Sequence, residues 1–247
     1  MTNFALLQTN IAFCDPEANF KRVRELFAQA MAKDPRPDVV VLPEDWSAGF
    51  SDEMFHHMEP ENGPSVTVLR ELARQYQVWV VGGSIATLHA DGKMRNTTFL
   101  IDRRGEIVGD YSKMHLYSDM DEHVPFANGD KTEVYDTELG RLGMMICYDI
   151  RFCELARTYA LKKADVLVVT SDFPNPRVNH WRTLPPAPSR TRCSWWPATG
   201  WAPALWGPTA ATPSSSTPGA TSSRRAAVRR RSSPAPSTTP RPGRSGT

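Results

Sequence analysis

Two apolar, β-branched runs constrain the fold of this chain more than any other feature. One lies within residues 38–43 and the other within residues 165–170. A strand that alternates apolar and polar residues needs cover on one face only, whereas a continuous apolar run needs cover on both faces. Both runs are therefore predicted to be strands buried between layers of the molecule.

The rest of residues 4–170 alternates between helical and strand patterns. Apolar residues at helical spacing predict a first helix from Asp15-Pro16 onward, and Pro64 is expected to open a second. The series is completed by strands at 4–9 and 78–85, hairpins at 97–111 and 133–146, and a helix from about Arg151 to Lys163. This order predicts an α/β fold, with a mixed sheet and helices packed outside it.

Composition divides the chain at about residue 184. The whole chain has a net charge of +2, but residues 185–247 contain nine Arg and no Asp, Glu or Lys, which leaves 20 basic against 27 acidic residues in 1–184. Pro, Ser, Thr, Ala and Arg dominate the tail, and such a segment cannot bury enough apolar surface to offset its ordering entropy. We therefore predict a folded domain over residues 1–184 and a disordered tail over residues 185–247.

Two origins fit the composition of this tail. It could be a genuine linker that binds nucleic acid through arginines such as those of the Arg224–Arg231 cluster. It could also result from a frameshift near Leu184–Pro185. Read out of frame, residues 187–201 permit the message A-I-E-N-Q-V-F-V-V-A-C-N-R-V, a helix end followed by an apolar strand. We favour the frameshift, and so expect no nucleic-acid binding.

The sequence also indicates the compartment. No apolar run reaches the ~18 residues of a membrane-spanning helix, and the N-terminus lacks the charged and apolar regions of a signal peptide. The cysteines show no metal-ligand spacing, and Cys147 and Cys153 fit neither a zinc knuckle nor a redox Cys-x-x-Cys pair. We therefore expect a reduced cytoplasmic protein without a membrane anchor or a metal.

Three polar residues end or follow apolar strands of their own. Glu44 ends Asp-Val-Val-Val-Leu-Pro-Glu, Lys113 follows Glu-Ile-Val-Gly-Asp-Tyr-Ser, and Cys147 ends Gly-Arg-Leu-Gly-Met-Met-Ile-Cys. Singly, each has an ordinary alternative, namely a surface glutamate, a solvated lysine and a small core cysteine. Brought to one edge of a sheet, they would supply a base, an oxyanion stabiliser and a nucleophile, the groups that open an amide or nitrile through a covalent intermediate.

The position of Cys147 suggests how its thiol would be activated. A helix is predicted shortly after it, and a helix N-terminus together with a nearby lysine favours the thiolate. A sharp turn at the cysteine would also leave the backbone N–H of Tyr148 pointing at an oxyanion.

Four segments resemble the nitrilase, or carbon–nitrogen hydrolase, superfamily. They are Leu-Pro-Glu at Glu44, Tyr-Ser-Lys-Met-His-Leu at Lys113, Asp-Glu-His at Glu122 and Ile-Cys-Tyr-Asp-Ile-Arg-Phe at Cys147. The resemblance runs from residue 4 to about 184, and the shifted frame continues it. Asp-Glu-His, with Asp-Phe-Pro at 172–174, is most similar to the ω-amidase branch, whose members hydrolyse the terminal amide of 2-oxoglutaramate and related short acids.

The resemblance implies a fold and a set of partners. The family fold is a four-layer α-β-β-α sandwich, which this chain would leave incomplete at its C-terminus, and it is usually paired with a second subunit through its outer helices. A homodimer, a small-molecule amide substrate and no cofactor are therefore expected.

The resemblance also implies roles for particular residues. Cys147 would attack the amide carbonyl, while Glu44 would take its proton and later pass it to the leaving ammonia. Lys113 and the Tyr148 N–H would hold the oxyanion, and Glu122 would orient the substrate or assist the base. Two further residues, Arg177 and His180, would approach the substrate carboxylate.

One departure and two alternatives accompany this hypothesis. Cys153 stands where the family usually has Pro, which could alter the helix start after Cys147. His115 and His123 are interpreted as structural rather than catalytic, since neither ends a strand. The chain could instead hydrolyse a nitrile or an N-carbamoyl compound, or it could be an inactive frameshifted product.

Overall fold

The larger of two β-sheets is built mostly from the N-terminal half of the chain. In this computed structural model, which describes residues 2–51, 53–172, 194–200 and 221–226, the sheet has eight strands. Seven are β1 (Thr2–Leu7), β2 (Val39–Val41), β3 (Glu59–Pro60), β4 (Trp79–Val81), β5 (Ile85–Leu88), β6 (Met94–Ile101) and β7 (Ile107–Ser112). Strands β1, β2 and β4 are parallel neighbours, and β6 pairs antiparallel with β4, β5 and β7.

The smaller sheet follows in sequence. Its described strands are β8 (Val134–Thr137), β9 (Gly140–Ile146), β10 (Val166–Asp172) and β11 (Ser194–Gly200), in that spatial order. β8 and β9 form an antiparallel hairpin, whereas β9, β10 and β11 are parallel. The last described strand, β12 (Thr221–Ala226), returns to the larger sheet and pairs antiparallel with β1.

The described helices begin where local chemistry favours a start. Helix α1 (Pro16–Met31) follows Asp15, whose side chain accepts a hydrogen bond from the Ala18 N–H at 3.0 Å. Helix α2 (Pro64–Tyr76) also begins with proline, and its Gln77 C-cap is left-handed. Helix α3 (Cys153–Leu161) comes after the hairpin of the smaller sheet.

Side chains on the two faces of the larger sheet pack into two separate hydrophobic cores. Phe4, Leu6, Val39 and Val41 face one core, while Ala5, Leu7, Val40 and Leu42 face the other, because successive side chains of a strand point to opposite faces. The first core also contains residues of the smaller sheet, and the second contains the apolar faces of α1 and α2. The larger sheet is therefore covered on both faces, as the run within residues 38–43 predicts.

The smaller sheet lies between the larger sheet and α3, whose Leu155, Ala156 and Tyr159 extend the first core. A side chain at Gly143 would meet Tyr159 of α3, and one at Gly109 of β7 would meet Tyr135 of β8. One face of the smaller sheet thus contacts α3 and the other contacts the larger sheet. The layers run helices, sheet, sheet, helix, which confirms the predicted α-β-β-α sandwich.

The structure differs from the sequence predictions at three points. The strand expected over 78–85 is two strands, because the chain turns at Gly82-Gly83-Ser84 between β4 and β5. The helix expected over 151–163 is a 3₁₀ turn at Cys147–Arg151 followed by α3. The short strand β3 has no signal in the sequence, since it contains only two residues, one of them proline.

Two segments of the tail lie in strands, although the composition of residues 185–247 predicts disorder. β11 lies beside β10 and β12 beside β1, in each case at the outer edge of its sheet. An edge strand tolerates proline such as Pro197, which cannot donate to a ladder. The remaining tail residues lie outside the described part of the chain, and the domain boundary at 184 and the frameshift stay predictions.

No helix in the described part of the chain is long and apolar enough to cross a lipid bilayer.

Candidate active site

Strand direction brings the predicted residues together at one end of the sandwich. Glu44 lies three residues after β2, and Lys113 directly follows β7. β2 and β7 run the same way in the larger sheet, so both residues emerge at the same edge. Cys147 directly follows β9, which belongs to the smaller sheet. The prediction of one shared sheet edge was therefore wrong in detail: the site lies between two facing sheets.

A buried ammonium lies between two carboxylates. Lys113 is wholly buried, and its Nζ lies 2.8 Å from Glu44 Oε1 and 2.7 Å from Glu122 Oε1. Burial alone would lower the pKa of Lys113, but the charges of Glu44 and Glu122 outweigh this effect and raise the pKa well above its usual value. The lysine is therefore a permanent cation at neutral pH.

The Glu44 carboxylate is fixed by donors on both oxygens. Besides Lys113, its Oε1 accepts a hydrogen bond from Asn96 Nδ2 at 3.1 Å, and its Oε2 accepts one from the Asp172 N–H at 3.0 Å. The charge of this carboxylate also reaches the Cys147 thiol and raises its pKa. A buried carboxylate held this firmly, with the thiol nearby, is suited to accept the thiol proton.

Glu122 is the second carboxylate on the lysine. Its other oxygen accepts a hydrogen bond from the Tyr117 N–H at 2.8 Å. Burial raises the pKa of Glu122, Lys113 lowers it, and the charge of Glu44 raises it again, with a net shift upward. The loop after β7 thus carries both Lys113 and a carboxylate that orients it.

Cys147 occupies a strained position. Its φ is +44°, a left-handed conformation that costs a non-glycine residue on the order of 1 kcal/mol. The residue as a whole is half-buried. The chain thus makes a sharp turn at the cysteine, as the sequence indicated.

The resting state of the cysteine differs from the prediction. Burial raises the pKa of the Cys147 thiol well above its usual value, the charge of Glu44 raises it further, and Lys113 only partly opposes this shift. No α-helix begins at the cysteine to favour its anion, because α3 starts at Cys153 after the 3₁₀ turn. The nucleophile therefore rests as a thiol and needs a base.

A second buried acid follows Glu44 directly. Asp45 is left-handed, with φ +47°, and its N–H donates to Ser84 Oγ at 3.1 Å. Burial raises the pKa of Asp45 well above its usual value, and the charge of Glu44 adds to this effect. The site thus favours the neutral form of Asp45.

Aromatic rings and a guanidinium line the side next to the nucleophile. The Tyr117 and Tyr148 rings have centroids 4.8 Å apart, and Arg151 Cζ lies 4.8 Å from the Tyr148 ring centroid. Tyr148 also makes an edge contact with Phe152 at 5.4 Å. The stacked guanidinium belongs to the 3₁₀ turn that begins at Cys147.

The remaining predicted residues lie in different surroundings. His123 is exposed, and His115 contacts Asp149 rather than the reacting groups, in agreement with a structural role. Tyr148 lies in the 3₁₀ turn that begins at Cys147, and the role of its N–H stays a prediction. Arg177 and His180 lie outside the described residues.

Sequence reasoning missed Asn96, Asp45 and the backbone of Asp172 as contacts of the site. Asn96 lies in β6 and is wholly buried, so an amide inside a buried strand was the available signal. Asp45 carried a similar signal, a second acid directly after Glu44. The Asp172 N–H has no signature, because backbone donors are invisible in a sequence.

No cluster of His, Cys, Asp or Glu suited to a metal ion occurs among the described residues. The positive charge at the centre of the site is that of Lys113. An oxyanion formed when Cys147 attacks a substrate carbonyl would be stabilised by this ammonium.

The sandwich and the site together define a nitrilase-like hydrolase class. The carbon–nitrogen hydrolase family model matches residues 3–187, and the chain belongs to that family. This finding confirms the resemblance given by the four motifs. Its relatives place it among enzymes that hydrolyse carbon–nitrogen bonds other than peptide bonds.

Two curated relatives illustrate the match. The chain is 34% identical to a 2-oxoglutaramate amidase of Bacillus subtilis over 179 residues, which cover 72% of this chain and 68% of the relative. It is 31% identical to an omega-amidase of Saccharomyces cerevisiae, over 68% of this chain and 62% of the relative. The match thus spans about two thirds of each relative's length.

Solved structures show the same fold. A Saccharomyces cerevisiae member of branch 10 of the nitrilase superfamily matches with a TM-score of 0.72 at 30% identity, covering 81% of this chain and 75% of that one. An amidase from Nesterenkonia matches with a TM-score of 0.73 at 22% identity, over 81% of this chain and 76% of that one. The second likeness concerns the fold alone.

Proposed function

We propose that this chain hydrolyses the terminal amide of a small carboxylic acid amide, through a cysteine thioester, and releases ammonia. The observation that carries the proposal is the contact set of Glu44. Its carboxylate bonds the Lys113 ammonium at 2.8 Å and lies near enough to the Cys147 thiol for its charge to raise the thiol pKa. The proposed base thus contacts the cation and interacts with the nucleophile.

The first half of the reaction forms the thioester. Glu44 takes the thiol proton as Cys147 Sγ bonds to the amide carbon, and the carbonyl oxygen becomes an oxyanion beside Lys113 and the Tyr148 N–H. Glu44 then returns the proton to the amide nitrogen, the carbon–nitrogen bond breaks, and ammonia leaves. The raised pKa of the Cys147 thiol makes proton transfer to Glu44 part of the attack rather than a step before it.

The second half removes the acyl group. Glu44 takes a proton from water as the water oxygen bonds to the thioester carbon, and a second oxyanion forms at the same place. The carbon–sulfur bond then breaks, and the proton on Glu44 returns to sulfur, which restores the thiol. The product is the free carboxylic acid, and Glu122 keeps the ammonium of Lys113 aligned through both halves.

The substrate class is inferred from the relatives. The similarity to a 2-oxoglutaramate amidase supports a short amide that carries a carboxylate at its far end. The free state of Cys14, Cys147 and Cys153 within the described residues is consistent with a cytoplasmic location.

The proposal is tested by ammonia release from 2-oxoglutaramate and succinamate, beside a panel of nitriles and N-carbamoyl acids. We expect turnover on the ω-amides, its loss in Cys147→Ala, and a fall of about 10²–10³-fold in kcat for Lys113→Met, the range found for loss of an oxyanion donor. Cys14→Ala is the matched control, since that thiol contacts Ser51 and none of the reacting groups. Turnover of nitriles or carbamoyl acids without ω-amides would contradict the proposed substrate class.

A further inference from the structure

Asp149 is a wholly buried carboxylate that bonds both segments of the site. Its Oδ1 accepts a hydrogen bond from the His115 N–H at 3.0 Å and lies 2.8 Å from His115 Nδ1. Its Oδ2 accepts hydrogen bonds from Tyr111 Oη at 2.6 Å and from the Ile146 N–H at 3.0 Å. We propose that Asp149 is the positioning residue that holds the nucleophile against the lysine.

The sequence positions of these partners make the connection specific. Tyr111 and His115 stand two residues before and two residues after Lys113, so the carboxylate holds the lysine segment on both sides. Ile146 directly precedes Cys147, so the same carboxylate fixes the chain where it enters the left-handed turn. One side chain thereby sets the separation between the larger sheet, which carries the ammonium, and the smaller sheet, which carries the thiol.

The strain at Cys147 gives this connection a function. A left-handed cysteine relaxes unless its neighbours hold it, because the conformation is disfavoured. The bond from Asp149 to the Ile146 N–H holds the near side of the turn. The His115 ring stacks on Phe152, with centroids 3.6 Å apart and planes at 9°, and so holds the far side.

An amide cannot replace this carboxylate. Each oxygen of Asp149 faces one backbone N–H, that of His115 or that of Ile146, and a backbone N–H cannot become an acceptor. Asparagine would therefore direct its NH₂ group at one of these donors in either orientation. The side chain keeps its size, but one of the two segments is released.

The effect on turnover rests on the proposed function, whereas the effect on the thiol does not. Two readouts therefore separate them: kcat and KM for ammonia release from succinamate, and the pH profile of Cys147 alkylation by iodoacetamide, followed by peptide mass spectrometry. In Asp149→Asn we expect kcat to fall about hundredfold with KM changed much less, the size of effect that follows a misplacement of about 1 Å. We also expect the midpoint of the alkylation profile to move down toward that of a free thiol, because a released turn admits water.

Asp102→Asn is the matched control. Asp102 is also a buried aspartate, and its Oδ1 accepts hydrogen bonds from the Arg104 and Glu106 N–H groups, at 2.8 and 2.9 Å. It lies in the turn at the opposite end of β7 from Lys113. Its substitution should lower the unfolding temperature without changing kcat or the alkylation profile of the folded enzyme.

Tyr111→Phe keeps the test decisive if Asp149→Asn does not fold. It removes only the hydroxyl bond to Oδ2, and we expect both readouts to change in the same direction by a smaller amount. The proposal is overturned if Asp149→Asn, or Tyr111→Phe in its place, matches Asp102→Asn in both readouts. If the parent chain releases no ammonia, the proposed function is contradicted. If Asp149→Asn still shifts the alkylation profile of Cys147 as described, the positioning role is supported.

Discussion

At the scale of single residues, burial and the charges around Lys113 together shift the pKa of its neighbours Asp45, Glu122 and Cys147. One ammonium is surrounded by Glu44 and Glu122, with Asp45 close enough to interact. Removing one partner of a buried ion pair typically costs about 3–5 kcal/mol, because it leaves an uncompensated charge. Burial, together with the like charge of Glu44, raises the pKa of Asp45, Glu122 and the Cys147 thiol, although the charge of Lys113 opposes the shift.

This balance predicts opposite effects of one substitution on two reactions of Cys147. Glu44→Gln removes a negative charge that raises the thiol pKa, so the thiolate fraction at neutral pH should rise. Alkylation of Cys147 should then become faster at pH 7, while amide hydrolysis is lost with its base. Mass spectrometry of the alkylated peptide and an ammonia assay measure the two rates on the same sample.

Glu59→Gln is the control for this prediction. Glu59 is another buried glutamate with a pKa raised by burial, but its carboxylate bonds Ser65 at the start of α2, away from the site. Its substitution should leave both rates unchanged. Slower alkylation in Glu44→Gln than in the parent would show that the carboxylate does not oppose the thiolate.

At the scale of elements, the turn between β4 and β5 supports the segment that carries Glu44. Gly83 has φ +63°, and a Cβ there would lie 2.1 Å from the Pro43 carbonyl oxygen. The Ser84 N–H donates to that same oxygen at 3.1 Å. The turn therefore contacts the backbone one residue before the base, and only glycine leaves room for the contact.

Gly83→Ala should destabilise the fold and also slow hydrolysis. The left-handed backbone alone costs an alanine on the order of 1 kcal/mol, and the clash adds about 1–3 kcal/mol. Gly92→Ala isolates the first effect, because Gly92 has φ +76° with nothing within 4 Å of its added Cβ. Urea unfolding and kcat of both variants measure the difference, and equal losses of stability would mean that the contact with Pro43 does not matter.

The elements were predictable where their signals are local. Asp15-Pro16, Pro64 and the Asp102–Gly105 turn mark their own starts and turns, and the structure has them there. The break at Gly82-Gly83-Ser84 was not predicted, because apolar residues on both sides read as one strand. It depends on a contact with Pro43, which is distant in sequence.

In the site, too, the residues with local signals could be predicted and the contacts between distant residues could not. Strand ends drew attention to Glu44, Lys113 and Cys147, and the buried amide of Asn96 could have been noticed in the same way. The thiol state of Cys147 could not be predicted, since it depends on a desolvated carboxylate brought close by the fold. The placement of the three residues on two facing sheets likewise needed the topology.

At the scale of the whole molecule, the site depends on the packing of the two sheets. Glu44 and Lys113 come from the larger sheet and Cys147 from the smaller one. The end of β10 also reaches across, since the Asp172 N–H donates to Glu44. Any loss of order at the edge of β10 is therefore expected to loosen the base.

The tail segment that forms β11 pairs with that edge of β10. β11 pairs with β10 along Val166–Asp172, and β12 pairs with β1. In this chain β11 includes Pro197, which lacks an N–H, whereas the shifted frame would place an apolar strand in the same part of the sequence. If the tail is out of frame, restoring the frame should cover both sheet edges with strands that also bury apolar side chains.

We therefore expect a frame-restored version to be more soluble, to unfold at a higher temperature and to release ammonia faster than the present chain. Light scattering, thermal unfolding and the ammonia assay, run on both proteins at equal concentration, measure these differences. Catalysis should improve through Glu44, because a better-paired β10 holds the Asp172 N–H against its carboxylate. Cys147→Ala in the frame-restored background shows that any gained activity belongs to this site. Equal solubility, stability and turnover of the two proteins would mean that the present tail is a functional part of the fold.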